Sequence, residues 1–286
     1  MTVPRHDYST EGVVDTLHAL NSTATWILAE LPDSLVVRHQ ALNSWLSLAQ
    51  QHCAMDPEAA KFETWEAWVT AMQIGSALFA AATVPKGTSV TVRIREQERT
   101  LPAIGPESHL NAGTWVTAFY LAIVCRENER LKRLAQVPVS VLRDSGAPFD
   151  DYMYSWVETL QSFWLGRQDV GGKLVAAVDG TAPEALSRYA DAERVSKILR
   201  PSLVVFYRYL RQDREQFNTA LRDALRRHRE YWTANEGRAV SSDGLVALGP
   251  LAMACLARDQ GISVEVESEY LPKALLEYAW MGEIDT

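Results

Sequence analysis

The sequence predicts a mainly α-helical fold, an array of stacked antiparallel helical hairpins of solenoid-like course with one small β-hairpin insert near residues 88–104. Three observations carry that expectation. Apolar residues recur at three- and four-residue spacing along nearly the whole chain, the mark of helices that bury one stripe. Around residues 90–104 the spacing changes to alternation, which suits strands. A tight acidic turn also recurs at an offset of 86. Glu127-Asn128-Glu129-Arg130-Leu131 follows one apolar helix and Asp213-Arg214-Glu215-Gln216-Phe217 follows another, as stacked hairpins require, although no fixed period runs throughout. No low-complexity linker divides the 286 residues, so a single domain spanning 1–286 is the simplest organisation.

Val13, Val14, Leu17 and Leu20 begin a helix after Ser9 or Thr10. A second follows Pro32-Asp33-Ser34 through Leu42, Trp45, Leu46 and Ala49, and the two form an antiparallel pair. The third is expected after Asp56-Pro57-Glu58, because an Asp accepts orphan amide hydrogens and Pro fits a first turn. Phe62, Trp65, Val69, Met72, Ser76 and Phe79 make one stripe; Trp68, Ala71, Gly75, Leu78 and Ala82 make another. Only Glu63, Glu66, Thr70 and Gln73 remain as a narrow polar face, so this helix is central and largely buried.

Val84-Pro85-Lys86-Gly87 breaks the helix. Val90, Val92 and Ile94 alternate with Thr91 and Arg93, Arg95-Glu96-Gln97-Glu98 turns, and Arg99 to Ile104 returns with Pro102 at an edge. Two strands alone are marginal, so the hairpin must lean on helices. After Gly105-Pro106 come helices marked by Trp115, Phe119 and Ile123, by Leu131 and Leu134, by Met153, Trp156, Leu160 and Phe163, and by Val170 to Val178. Leu203, Phe206 and Leu210 precede the most amphipathic helix, Phe217 to Trp232, with Asp213 as N-cap and Gln216 completing a capping box. A last long helix is expected over Leu245 to Arg258, and a short one after Pro272. Ala67 to Pro85 and His109 to Cys125 lack charges, but their Thr, Gln, Asn, Ser and Gly residues mark buried core helices rather than membrane spans.

Several classes of function are excluded. A 47% hydrophobic and 22% charged chain is neither disordered nor a disulfide scaffold, and a net charge of −8 opposes nucleic-acid binding, which needs excess cations. Cys53, Cys125 and Cys255 each sit in an apolar stretch and read as buried free thiols of a reducing compartment. Met1 to Asp7 has no apolar core of a secretory signal, which points to the cytoplasm. No dinucleotide fingerprint, phosphate loop, paired-histidine metalloprotease helix or nucleophile elbow occurs, so no cofactor and no catalytic residue is expected. Gly171-Gly172-Lys173 lacks phosphate-loop spacing and reads as a helix start. His52-Cys53 with Asp56 gives too few metal ligands for zinc, and His109 and His228 read as packing residues beside apolar faces.

The charges are unevenly placed. Between Arg208 and Arg229 seven arginines face three acids, whereas from Asn235 onward nine acids face three bases. The acidic focus is Glu265-Val266-Glu267-Ser268-Glu269-Tyr270-Leu271-Pro272. Alternation there sets Glu265, Glu267 and Glu269 on one side and Val264, Val266 and Ser268 on the other. Such a row is either a solvated edge or a docking surface for a basic partner.

Asp56-Pro57-Glu58-Ala59-Ala60-Lys61, Glu63-Thr64-Trp65-Glu66-Ala67 and Thr70-Ala71-Met72-Gln73-Ile74-Gly75-Ser76-Ala77-Leu78-Phe79 together resemble the immunity 49 family of bacterial polymorphic-toxin immunity proteins, especially actinobacterial members. Tyr231-Trp232-Thr233-Ala234, Val246-Ala247-Leu248-Gly249-Pro250-Leu251-Ala252 and Val264 to Pro272 extend the resemblance over nearly the full length. It implies a mostly helical cytoplasmic protein that binds and neutralises a toxin encoded beside it, with no catalytic residues to carry over. Gly75, Gly249 and Pro250 then serve the fold. For the partner-binding surface the candidates are Glu265, Glu267, Glu269 and Tyr270 first, then Glu63, Glu66 and Gln73, which alternatively form a polar seam between helices. Two other readings stay open: a helical scaffold without a toxin partner, and a small-molecule enzyme with an inter-helical pocket that uses Glu63 or Glu66.

Overall fold

The computed structural model describes residues 1–187, 190–280 and 282. Helices α1 (Val13–Glu30), α2 (Leu35–Met55) and α3 (Phe62–Thr83) stack in sequence, followed by the hairpin β1 (Ser89–Ile94) and β2 (Gln97–Pro102). Then come α4 (Ala112–Val124), α5 (Asn128–Ala135), α6 (Val139–Arg143), α7 (Asp151–Trp164) and α8 (Val170–Asp179). The remainder runs α9 (Ala192–Arg194), a π turn (Val195–Leu199), α10 (Arg200–Leu210), α11 (Arg214–Trp232), α12 (Glu236–Ala239), α13 (Leu248–Asp259) and α14 (Lys273–Glu277). Neighbours in sequence pack as pairs, α1 on α2, α7 on α8 and α10 on α11, while α13 returns to cover α4. The mainly helical, stacked arrangement with one β-hairpin is the one expected. No helix among the described residues is long and apolar enough to cross a membrane.

Every flank of α3 is covered, by α2, α4, α5 and the hairpin. Its residues from Thr64 to Ala82 are buried except Glu66 and Ala80. Close approach to α4 depends on Gly75: a Cβ there would lie 2.9 Å from the Ala118 Cβ and 3.3 Å from its Cα. Three buried tryptophans join neighbouring elements by donating their indole hydrogens. Trp45 bonds Ala24 O at 3.0 Å, Trp115 bonds Leu134 O at 3.0 Å and Trp156 bonds the Tyr120 hydroxyl at 2.9 Å. Trp26 is the exception, 57% exposed on α1.

The hairpin leans on the helices as expected, through cations the sequence does not mark. Arg130 of α5 is 5% exposed and donates to Ser76 Oγ at 2.6 Å and to Arg93 O at 2.9 Å, and burial lowers its guanidinium to about 10. Arg99 donates to Leu28 O at 3.1 Å. The turn is tighter than its sequence suggests: the two residues Arg95 and Glu96 both lie in the left-handed region, and Gln97 and Glu98 already belong to β2. A two-residue turn of this kind matches the twist of paired strands.

Helix starts account for the other corrections. Thr10-Glu11-Gly12 forms a turn, with Gly12 at φ 70, and α1 begins two or three residues late at Val13. The Asp56 carboxylate accepts the Ala60 and Lys61 amides at 3.0 and 2.8 Å and the Thr64 hydroxyl at 2.7 Å, but across a loop, so α3 begins at Phe62. Pro250 lacks the N–H for an earlier turn, which places the start of α13 at Leu248 rather than Leu245. Asp213 does cap α11, accepting Gln216 N at 3.0 Å. The repeated acidic turn has a backbone counterpart, because Arg126 and Gln212 enter it at φ 55 and 54.

Cys53, Cys125 and Cys255 are free and at most 1% exposed, and burial raises their thiols, Cys53 to about 12 and Cys255 to about 11. Replacing Gly75→Ala should lower stability by about 1–3 kcal/mol through overpacking of α3 on α4. Urea unfolding is expected to show a lower midpoint at unchanged slope.

Candidate functional site

The acidic segment is extended, and its alternation is realised. Glu265, Glu267 and Glu269 are exposed, Val266 and Tyr270 are buried, and Val264 and Ser268 are half-buried. What holds it is a contact between residues more than 260 apart. Met1 N donates to Glu265 O at 2.9 Å, Glu267 N to Met1 O at 2.8 Å and Val3 N to Glu267 O at 3.0 Å, so residues 1–6 lie beside the tail as a strap with a parallel bridge at Thr2 and Glu267. On its other side Asn218 of α11 accepts Glu265 N at 2.7 Å and donates to Ser263 O at 2.9 Å.

Two of the three carboxylates are matched by arginines. Arg214 Nε donates to Glu265 Oε1 at 2.9 Å, and Arg5 Nε lies 3.4 Å from Glu269 Oε2. Glu267 forms no ion pair among the described residues. Tyr270 is not a surface anchor. At 0% exposure it falls on the inward parity of the segment, where its hydroxyl accepts His6 N at 3.0 Å and bonds His6 Nδ1 at 2.8 Å. The His228 ring packs edge-on against it at 4.8 Å, and His228 Nε2 bonds Gly244 O at 2.9 Å. Tyr270 is thus an enclosed pin that seats strap, tail and α11 together.

The second candidate group lies elsewhere, at a groove of about 670 Å³ between α1, α3 and the hairpin tip. Glu66 takes two bonds from Arg95, at 2.6 and 3.1 Å. Gln73 is fully buried and accepts Arg95 N at 2.9 Å, which fixes the left-handed tip. Glu63 stands exposed on the first turn. The polar face of α3 is thus a seam that docks the hairpin, with Glu63 alone free to face outward.

A larger cleft of about 690 Å³ opens between α2, α4, α7, α9, the π turn, α10, α11, the turn Ser242–Gly244 and α13. Sequence reading missed it because it is made by many elements converging, none of which carries a local motif. Neither Glu63 nor Glu66 reaches its wall. No cluster of three or more metal-capable side chains occurs among the described residues.

Both histidines around Tyr270 are held neutral. Burial lowers His228 to about 4 and lowers His6, against weaker opposing hydrogen bonds. An unfolded chain takes up these protons near the ordinary value of 6.5. Stability is therefore complete above about pH 6.5 and falls as pH drops toward 4, His228 alone accounting for about 3 kcal/mol. Urea midpoints should fall between pH 7.5 and pH 5, and His228→Gln should lose less over that interval; an equal loss would show that the cluster does not carry the effect.

A family model described as immunity protein 49 matches residues 56–275. No curated protein and no solved structure matches the chain. The matched span opens at the Asp56 loop that precedes α3 and closes at Leu275 in α14, taking in the hairpin, the acidic segment and every cleft-forming helix except α2. With well over half of its length matched, the chain belongs to the immunity protein 49 family.

Proposed function

We propose that this protein acts as one domain in the cytoplasm, where it binds and neutralises a cognate toxin by covering it, with no reaction of its own. Family membership supports the role, and the exposed edge of Glu265, Glu267 and Glu269 is the observation that carries the choice of surface. The partner is then basic where it docks, as the cleft of a nucleic-acid-cleaving toxin is. Glu267 is the leading contact, because its charge is uncommitted. The ion pairs of Glu265 and Glu269 are at the surface, where such pairs contribute about 0–1 kcal/mol, so an incoming cation can take the place of Arg214 or Arg5 at small cost. Glu63 is a secondary contact, and Glu66 and Gln73 act behind it by holding the hairpin tip. The enzyme reading loses support because Glu66 is bound to Arg95 and Glu63 lies outside the larger cleft.

The test is capture of the neighbouring gene's product and rescue of growth when the two are co-expressed. Wild type that neither binds nor rescues would sink the immunity reading, and many weak partners in place of one tight one would favour a scaffold. Glu267→Lys is the clean probe of the surface, since reversal at Glu265 or Glu269 would also break an ion pair within the molecule, to Arg214 of α11 or to Arg5 of the strap. It should weaken binding about tenfold or more and slow association most at low salt. Unchanged affinity in a protein that still rescues would remove the acidic edge alone.

A further inference from the structure

The 690 Å³ cleft has its own chemistry, independent of the acidic edge. Gln50 of α2 lines it at 5% exposure, and its amide oxygen has no hydrogen-bond partner among the described residues. An unsatisfied buried acceptor costs about 1–3 kcal/mol unless something binds to it. The short turn Ser242–Gly244 packs on α2 and brings Asp243 to the same cleft. The Asp243 carboxylate is exposed, yet it forms no ion pair and accepts no hydrogen bond among the described residues. Partial burial raises it from its ordinary value, with Arg194 opposing.

The remaining charges decide the sign. Lys197 on the π turn lies 3.2 Å from Glu193, which Arg238 shares at 2.8 Å, and 4.0 Å from Glu230, so two acids answer two cations and Lys197 adds little net charge. Arg194 is close enough to act on Asp243 but makes no ion pair with it. Against this one cation the cleft presents Asp150, Asp191 and Asp243. Phe149, Tyr152 and Trp232 add aromatic surface to the wall, and aromatic faces attract cations. Two acceptors, excess carboxylate and aromatic walls call for a ligand that is cationic and rich in donors.

We propose that the cleft binds an organic cation bearing several N–H groups, a guanidinium or primary ammonium, seated between Asp243 and the Gln50 amide oxygen. The cation is either a free small molecule or an arginine or lysine side chain presented by a protein, and both share this chemistry. Titration calorimetry on the full chain with agmatine, and separately with a capped Gly-Arg-Gly peptide, distinguishes the sources. Agmatine alone binding assigns a free small cation, the peptide alone assigns a protein side chain, and both together assign a site that reads only the cationic group. Asp243→Asn should weaken whichever binds by about tenfold, the scale of a hydrogen bond to a charged group, and Gln50→Leu should weaken it also. Arg194→Ala should tighten it by removing the competing cation, a gain that misfolding cannot produce. Asp243 and Arg194 are exposed, so neither substitution disturbs the core. No binding of either probe, or an affinity unchanged by Asp243→Asn, overturns the proposal; toxin capture by the same wild-type protein is scored separately.

Discussion

A helix buried along nearly its whole length must be enclosed by other elements, and α3 imposes that demand on the whole molecule. Its buried run from Thr64 to Ala82 cannot be covered by one partner, so α2, α4, α5 and the hairpin each take a flank. Backbone-to-backbone closeness at Gly75 sets the α3–α4 spacing, and α4 in turn is roofed by α13. The polar face of α3, which could not be left dry and unpaired, is spent on the hairpin through Glu66 and Gln73. A two-stranded ribbon too small to stand alone thereby becomes one wall of the core.

Local periodicity made much of this legible. The double stripe of α3, the Asp213 cap and the parity of residues 264–269 are short-range patterns, and the structure keeps them. Parity also held the answer for Tyr270, which shares the inward side with Val266. What local pattern could not show was any pairing across the chain. Nothing in Met1 to His6 announces a strap, because most of its hydrogen bonds go to residues 265–270 and are made mostly by backbone. The cleft was hidden for the same reason, since Gln50 and Asp243 come to line one cavity only when α2 and the Ser242–Gly244 turn pack together.

Charge shows how sequence asymmetry and spatial asymmetry differ. The arginine-rich stretch and the acidic tail look like opposite poles along the chain, yet α11 and the tail lie side by side and Arg214 bonds Glu265. Much of the tail's field is therefore answered within the molecule, and the edge offered outward is narrower than composition suggests. Selectivity for a partner then rests on individual positions, Glu267 foremost, rather than on bulk attraction.

The three cysteines place a set of silent reporters in the core. Only the thiolate reacts, and burial withholds it at neutral pH in the folded chain. An alkylating reagent therefore registers opening rather than surface. Cys53 lies near the strap, where Arg5 bonds its carbonyl at 2.8 Å, while Cys255 sits under α14 beside Arg126. The native protein thus carries a clock at each of two places, and their separate labelling rates distinguish release of the strap from melting of the helical core.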